Sequence, residues 1–178
     1  MKFLEKYSSQ DLLYIAILSA LGFAIKPIVN PLVHIISAPL MIPGGSLAGG
    51  FYMMWLALAV VMVKKPGAAF LVGLVQAIVM ISLGYFGNHG AVSLISYTLP
   101  GVAAEIAAVM FRKKDSIAAQ TSICAAANIT GALIVTILIM RLALIPLLIS
   151  IVAAAISGIT GGIISFYLIK KLKKYRLI

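Results

Sequence analysis

The sequence has almost no acid: four Asp and Glu among 178 residues, against fourteen Lys and Arg. It has one cysteine, one tryptophan and two histidines, and charged residues of either sign make up only 10% of the chain. Each scarcity removes a class of function. A lone Cys124 inside an apolar run forms neither a disulfide framework nor a thiolate metal cluster. Two histidines without acidic or thiol companions are a poor basis for a metal site, so none is expected. No GxxxxGK(S/T) phosphate loop is present, so any ATP hydrolysis belongs to partner chains. GxSxG, HExxH and paired carboxylates on a helix are missing too, so the chain is not expected to be an enzyme or to need a cofactor.

What is there is hydrocarbon. Hydrophobic residues make up 63% of the chain and mean hydropathy is +1.16, more than a water-soluble domain of this size can hide. About 20 apolar residues cross the roughly 30 Å core of a bilayer, so the chain has room for about six spans and no soluble domain. The expected fold is all-α, a single transmembrane domain over 1–178. Apolar runs, prolines, glycines and charges place helices near 11–28, 46–63, 67–84, 91–111, 116–140 and 146–169, with Asp11 and Asp115 as N-caps of the first and fifth. The N-terminal stretch runs on into a membrane-length helix, and a retained span is expected there rather than a cleaved signal.

The basic residues set the orientation. With alternating spans, Lys2, Lys6, Lys64, Lys65, Arg112 to Lys114, Lys170, Lys171, Lys173, Lys174 and Arg176 share one side; Lys26 and Arg141 are left on the other. Twelve of fourteen on one side marks the cytoplasm and predicts both termini inside. The same short clusters between apolar runs exclude nucleic acid as the reason for the charge. On the outer side, the segment from Lys26 to Ser46 carries Pro27, Pro31, Pro39 and Pro43. These are expected to forbid a regular helix and leave an apolar, irregular cap over an outward cavity.

Within the spans, polar groups are costly and therefore informative. Gln76 and Asn128 either hydrogen-bond a planar heterocycle or pin two helices together. Trp55 and Tyr97 either stack on a ligand ring or fill the core. Glu105 is the only acid deep in a span, and either contacts ligand, couples transport, or bonds a neighbouring helix. His34 and Asn88, with Asn30, His89, Lys26 and Arg141, lie at the bundle's mouth, where they suit ligand capture or a wetted loop. The stripe of Ala16, Ala20 and Ala24 on the first helix serves either an internal neighbour or a docking partner, and Ala154, Gly158 and Gly162 on the last are expected to pack internally.

In size, six helices, the long outer segment after helix 1 and the alanine stripe, nearly the whole chain resembles the substrate-binding (S) component of energy-coupling factor (ECF) transporters. These are vitamin importers of bacterial and archaeal cell membranes. VKKPGAAFLVGLVQAIVMISLG (63–84) and LISYTLPGVAAEIAAVMFRKK (94–114) most resemble the YkoE-type component linked to hydroxymethylpyrimidine or thiamine uptake. Relatives carry acids on helix 3 where this chain has Gly73 and Met80. The resemblance implies a vitamin-like ligand bound from outside, toppling within the membrane, and docking of the alanine stripe on a transmembrane (T) component served by two ABC-type ATPases. The competing expectation is a small ion-coupled secondary transporter in which Glu105 titrates.

Overall fold

The computed structural model describes residues 4–40, 42–82 and 92–176, and among these every regular element is helical. The helices are α1 (Ser9–Ala24), α2 (Lys26–Ser37), α3 (Gly44–Val63), α4 (Ala68–Ser82), α5 (Ser93–Val109), α6 (Ile117–Ile134) and α7 (Leu144–Lys174). A short 3-10 turn, Leu4–Lys6, precedes α1, and a π-helical turn, Val135–Ile139, extends α6. Four stretches are long and apolar enough to cross a membrane: Ser9–Ser37, Gly44–Val63, Ile117–Ile139 and Leu144–Lys174. α4 and α5 are shorter apolar helices. With α1 and α2 counted together, the described residues give the six-helix count expected.

The helix starts correct two expected caps. Ser8, not Asp11, is the N-cap of α1: Asp11 N–H donates to Ser8 Oγ at 3.2 Å, and Ser8 N–H donates back to the Asp11 carboxylate at 2.8 Å. Asp11 sits three residues in, as the acid of a capping box. Ser116, not Asp115, caps α6 by accepting from Ala119 N–H at 3.2 Å.

The largest correction is α2. Pro27 lies in its first turn, where an N–H has no helical acceptor to lose, and Pro31 gives up only one bond inside. A ring at Pro27 clashes with the carbonyl four residues back in an unbroken helix, and α1 ends at Ala24, with the single residue Ile25 between the two. The segment expected to be irregular is therefore helical as far as Ser37, and among its described residues only 38–40 and 42–43 lie outside regular helix.

Glycines let the helices approach closely. A Cβ at Gly161 of α7 would stand 2.6 Å from Gly50 Cα of α3, and one at Gly158 would stand 2.6 Å from Ala125 Cα of α6. The α7 stripe of Ala154, Gly158 and Gly162 is buried against its neighbours, as expected. Polar bolts reinforce this seam: Gly50 N–H donates to Ser157 Oγ at 2.9 Å, and that hydroxyl donates to Leu47 O at 2.6 Å.

One end of the bundle gathers several of the basic residues. Lys6 Nζ and Tyr7 OH both donate to Pro66 O, at 2.9 and 2.7 Å; Lys65 pairs with Asp11 at 2.5 Å, and Lys173 pairs with Asp115. These contacts bring the N-terminal turn, the α3–α4 and α5–α6 connections and the end of α7 to one face, as alternating passes require.

Candidate functional site

At the opposite end α2 to α6 surround a cavity of about 580 Å³, inside the range of small-molecule sites. α2 supplies its polar wall. Lys26, Asn30, His34 and Ser37 recur at helical spacing and all line the cavity, while Ile28, Leu32, Ile35 and Ile36 of the same helix are exposed on its outer face. An amphipathic helix so placed turns its polar stripe inward.

Lys26 is the centre of the site. Only 9% exposed, it reaches from α2 to α4, where Nζ donates to Gln76 Oε1 at 3.1 Å. The Tyr97 ring of α5 lies beneath it, 3.8 Å from Nζ to the ring centroid, and the Tyr52 ring of α3 lies at 5.9 Å. Both distances fall within cation–π range. Tyr52 OH donates to Asn30 Oδ1 at 2.6 Å, fixing that ring against α2. Two further wall residues, Ser37 and Ser46, have buried hydroxyls without a hydrogen-bond partner.

Of the residues singled out in the sequence, His34, Gln76, Tyr97 and Asn128 line this one cavity. His34 is at its exposed mouth. Asn128 also bolts helices: Nδ2 donates to Ala154 O of α7 at 2.8 Å, and its carboxamide occupies the space a side chain at Gly49 of α3 would need. Trp55 is not part of the lining; its ring faces Gly22 of α1, where a Cβ would come within 3.0 Å, and its Nε1 is buried without a partner. Glu105 is not part of it either. Its Oε1 accepts from Ala69 N–H at 2.7 Å, capping the first turn of α4 near the basic end of the bundle. Asn88 lies outside the described residues, as does His89.

Tyr52, Ser37 and Ser46 were not singled out in the sequence, and Lys26 and Asn30 were read there only as polar groups at the bundle's mouth. The 26, 30, 34, 37 spacing was the available signal for α2. The structure also places Gly73 and Met80, the two positions on α4 that the resemblance drew attention to. A side chain at Gly73 would run into the Tyr97 carbonyl, so the glycine sets the α4–α5 distance, and Met80 gives the cavity an apolar wall.

On the outer face of α1, Ala16, Ala20 and Ala24 are all exposed, flanked by exposed Leu13, Ile17 and Leu21. Among the described residues no helix of this chain covers the stripe.

A family model described as "ABC-type cobalt transport system, permease component" matches residues 10–131, from α1 through most of α6. No curated protein and no solved structure gives a match.

Proposed function

Since the chain belongs to the family of ABC-type cobalt transport system permease components, and so is a multi-pass membrane subunit of an ECF/ABC-type transporter, we propose that it is the substrate-binding S component. The observation that carries this reading is the cavity, in which a lysine, amides, hydroxyls and two tyrosine rings from separate helices converge. A subunit that only relayed force would have no use for such a chamber.

The rest of the reading follows the division of labour. The basic end is cytoplasmic by the positive-inside bias, so the cavity opens outward and both termini are inside. The exposed alanine stripe of α1 is the docking face for a T component, because small side chains allow close helix contact in lipid, and two ABC-type ATPases supply the energy. The setting is a bacterial or archaeal cell membrane.

The cargo is an organic solute of vitamin size. A bare divalent cobalt ion is a poor fit, because among the described residues of the lining His34 is the only imidazole, carboxylate or thiolate, and the Lys26 amine would oppose a cation. Stacking on Tyr97 and hydrogen bonds from the amides suit a planar heterocycle such as hydroxymethylpyrimidine. Thiamine suits it less, since its permanent cation would face the lysine. Ion coupling through Glu105 has no support in the geometry, because that carboxylate is engaged outside the cavity.

The test is reconstitution. In proteoliposomes, solute uptake should require the T component and ATP-hydrolysing partners together with this chain, and small molecules copurifying with the chain should be organic. Uptake by this chain alone, driven by a proton gradient, would overturn the assignment.

A further inference from the structure

Lys26 is a buried amine with no carboxylate beside it. It is buried within the apolar stretch Ser9–Ser37, where an unneutralised ammonium is unfavourable. The chain has only four acidic residues, and none lines the cavity. Asp11 pairs with Lys65, Asp115 pairs with Lys173, Glu105 caps α4, and Glu5 is exposed in the N-terminal turn. No other part of the sequence contains a carboxylate side chain to bring to Lys26.

The contacts Lys26 does make stabilise a positive charge without neutralising it. Gln76 offers a carbonyl dipole and Tyr97 the negative face of its ring. The amide orientation of Gln76 is fixed by this bond, because a flipped amide would set NH2 against NH3+. An ammonium has three donors, and one is used on Gln76. Two hydroxyls on the same cavity wall, Ser37 and Ser46, are 1% and 0% exposed and lack partners. Buried donors of this kind are normally met by an acceptor, and both of these line the cavity.

We propose that Lys26 is the anion-recognition residue of the cavity, and that the solute is a small planar organic acid whose carboxylate or phosphate group pairs with the Lys26 ammonium. This rests on reading the cavity as the solute site. The ring of such an acid stacks against Tyr97 or Tyr52 while its anionic group faces Nζ. An uncharged pyrimidine meets the rings and amides but leaves the ammonium unpaired, and a cationic heterocycle opposes it. Selectivity therefore runs from anionic through neutral to cationic rings.

The experiment uses the purified chain in nanodiscs and pairs of rings that share a ring system and differ in whether they carry an anionic group. Calorimetry compares pyridine-3-carboxylate with pyridine-3-carboxamide, pyrimidine-5-carboxylate with its amide, and hydroxymethylpyrimidine with its monophosphate. At least one acid should bind about tenfold or more tighter than its neutral partner, and which pair shows the gap distinguishes carboxylate from phosphate. Lys26→Arg should keep the preference and Lys26→Met should reduce it below about twofold, whereas a lysine that merely clamps α2 to α4 would change stability and leave the preference alone. Neutral members binding as tightly as acids, or a preference that survives Lys26→Met, overturns the proposal and leaves the cavity reading standing. No binding of any ring overturns both. If Lys26→Met does not fold, the wild-type acid-to-amide comparison decides alone.

Discussion

The two ends of the bundle solve opposite problems. At the basic end, buried polar groups have partners. Gln120, fully buried, donates to Lys114 O at 2.8 Å and accepts from Ser165 Oγ at 2.5 Å, and Glu105 meets the α4 amide. At the other end a lysine lacks a counter-charge, two hydroxyls lack any partner, and five helices stand apart around a cavity. Satisfied polar networks rigidify, while unmet groups gathered along a cavity wall leave bonds for something else to make. The packed end holds the passes in place so that the open end can keep its unmet groups.

The largest effect should come from disturbing the packed seam. Gly161→Val would push a branched side chain into the Gly50 backbone, which cannot swing aside as a side-chain tip could. A loss at or above the upper end of about 1–3 kcal/mol is expected, read as a collapse of the detergent melting temperature. A variant that melts like wild type would mean that α3 and α7 do not meet this closely.

Asn128→Ala comes next, because Asn128 belongs to both regions. It bolts α6 to α7 and also lines the cavity, so about 1–3 kcal/mol should be lost from stability and a smaller share from solute affinity. Gln76→Ala should show the reverse weighting, since its bond goes to Lys26 and not to a helix backbone. Equal stability losses in the two variants would erase the distinction between bolt and binding group.

The packed end was the more legible in the sequence. Its helices follow from apolar runs, its common face from clusters of lysine and arginine, and its α7 seam from the spacing of Ala154, Gly158 and Gly162. The caps slipped by one and three residues, because Ser and Asp compete for the same role and a local sequence does not say which side chain reaches which amide. The open end was harder. Prolines at 27 and 31 masked the four-residue rhythm of Lys26, Asn30 and His34, since a proline is a breaker by propensity but is tolerated in a first turn. Gln76, Tyr97, Asn128 and His34 were legible as costly or mouth-facing groups. Whether a group turns inward was not, and Trp55 shows why: its ring direction depends on Gly22 of another helix.

Two predictions of intermediate size separate coupling from folding. Glu105→Gln keeps an oxygen for the Ala69 amide, so uptake should persist and stability should change by under about 1 kcal/mol. A carrier in which Glu105 titrates would lose transport entirely in that variant. Ala20→Trp, on the uncovered face of α1, should leave melting and solute binding within about 0.5 kcal/mol of wild type while abolishing copurification with T component and ATPases. A folding defect instead would show that the stripe has a neighbour within this chain.

The smallest effect belongs to the periphery of the packed end, at the pair between Asp115 and Lys173. The hydrogen bond from Lys173 holds the Asp115 carboxyl below its ordinary range, with lesser help from its own backbone amide. A carboxyl depressed in the folded state contributes stability that is fully present above its unfolded value of about 3.9 and is lost as pH falls through the folded value. Both side chains are 40% or more exposed, so water and salt screen the pair, and Asp115→Asn should cost no more than about 0.2–1 kcal/mol at neutral pH. The difference between wild type and variant should narrow on acidification below about pH 4 and shrink in about 1 M salt. A gap that widens on acidification would reverse the sign and show that the carboxyl is held protonated. A gap unaffected by salt would place the pair out of water, and so make the basic end drier than its exposure indicates.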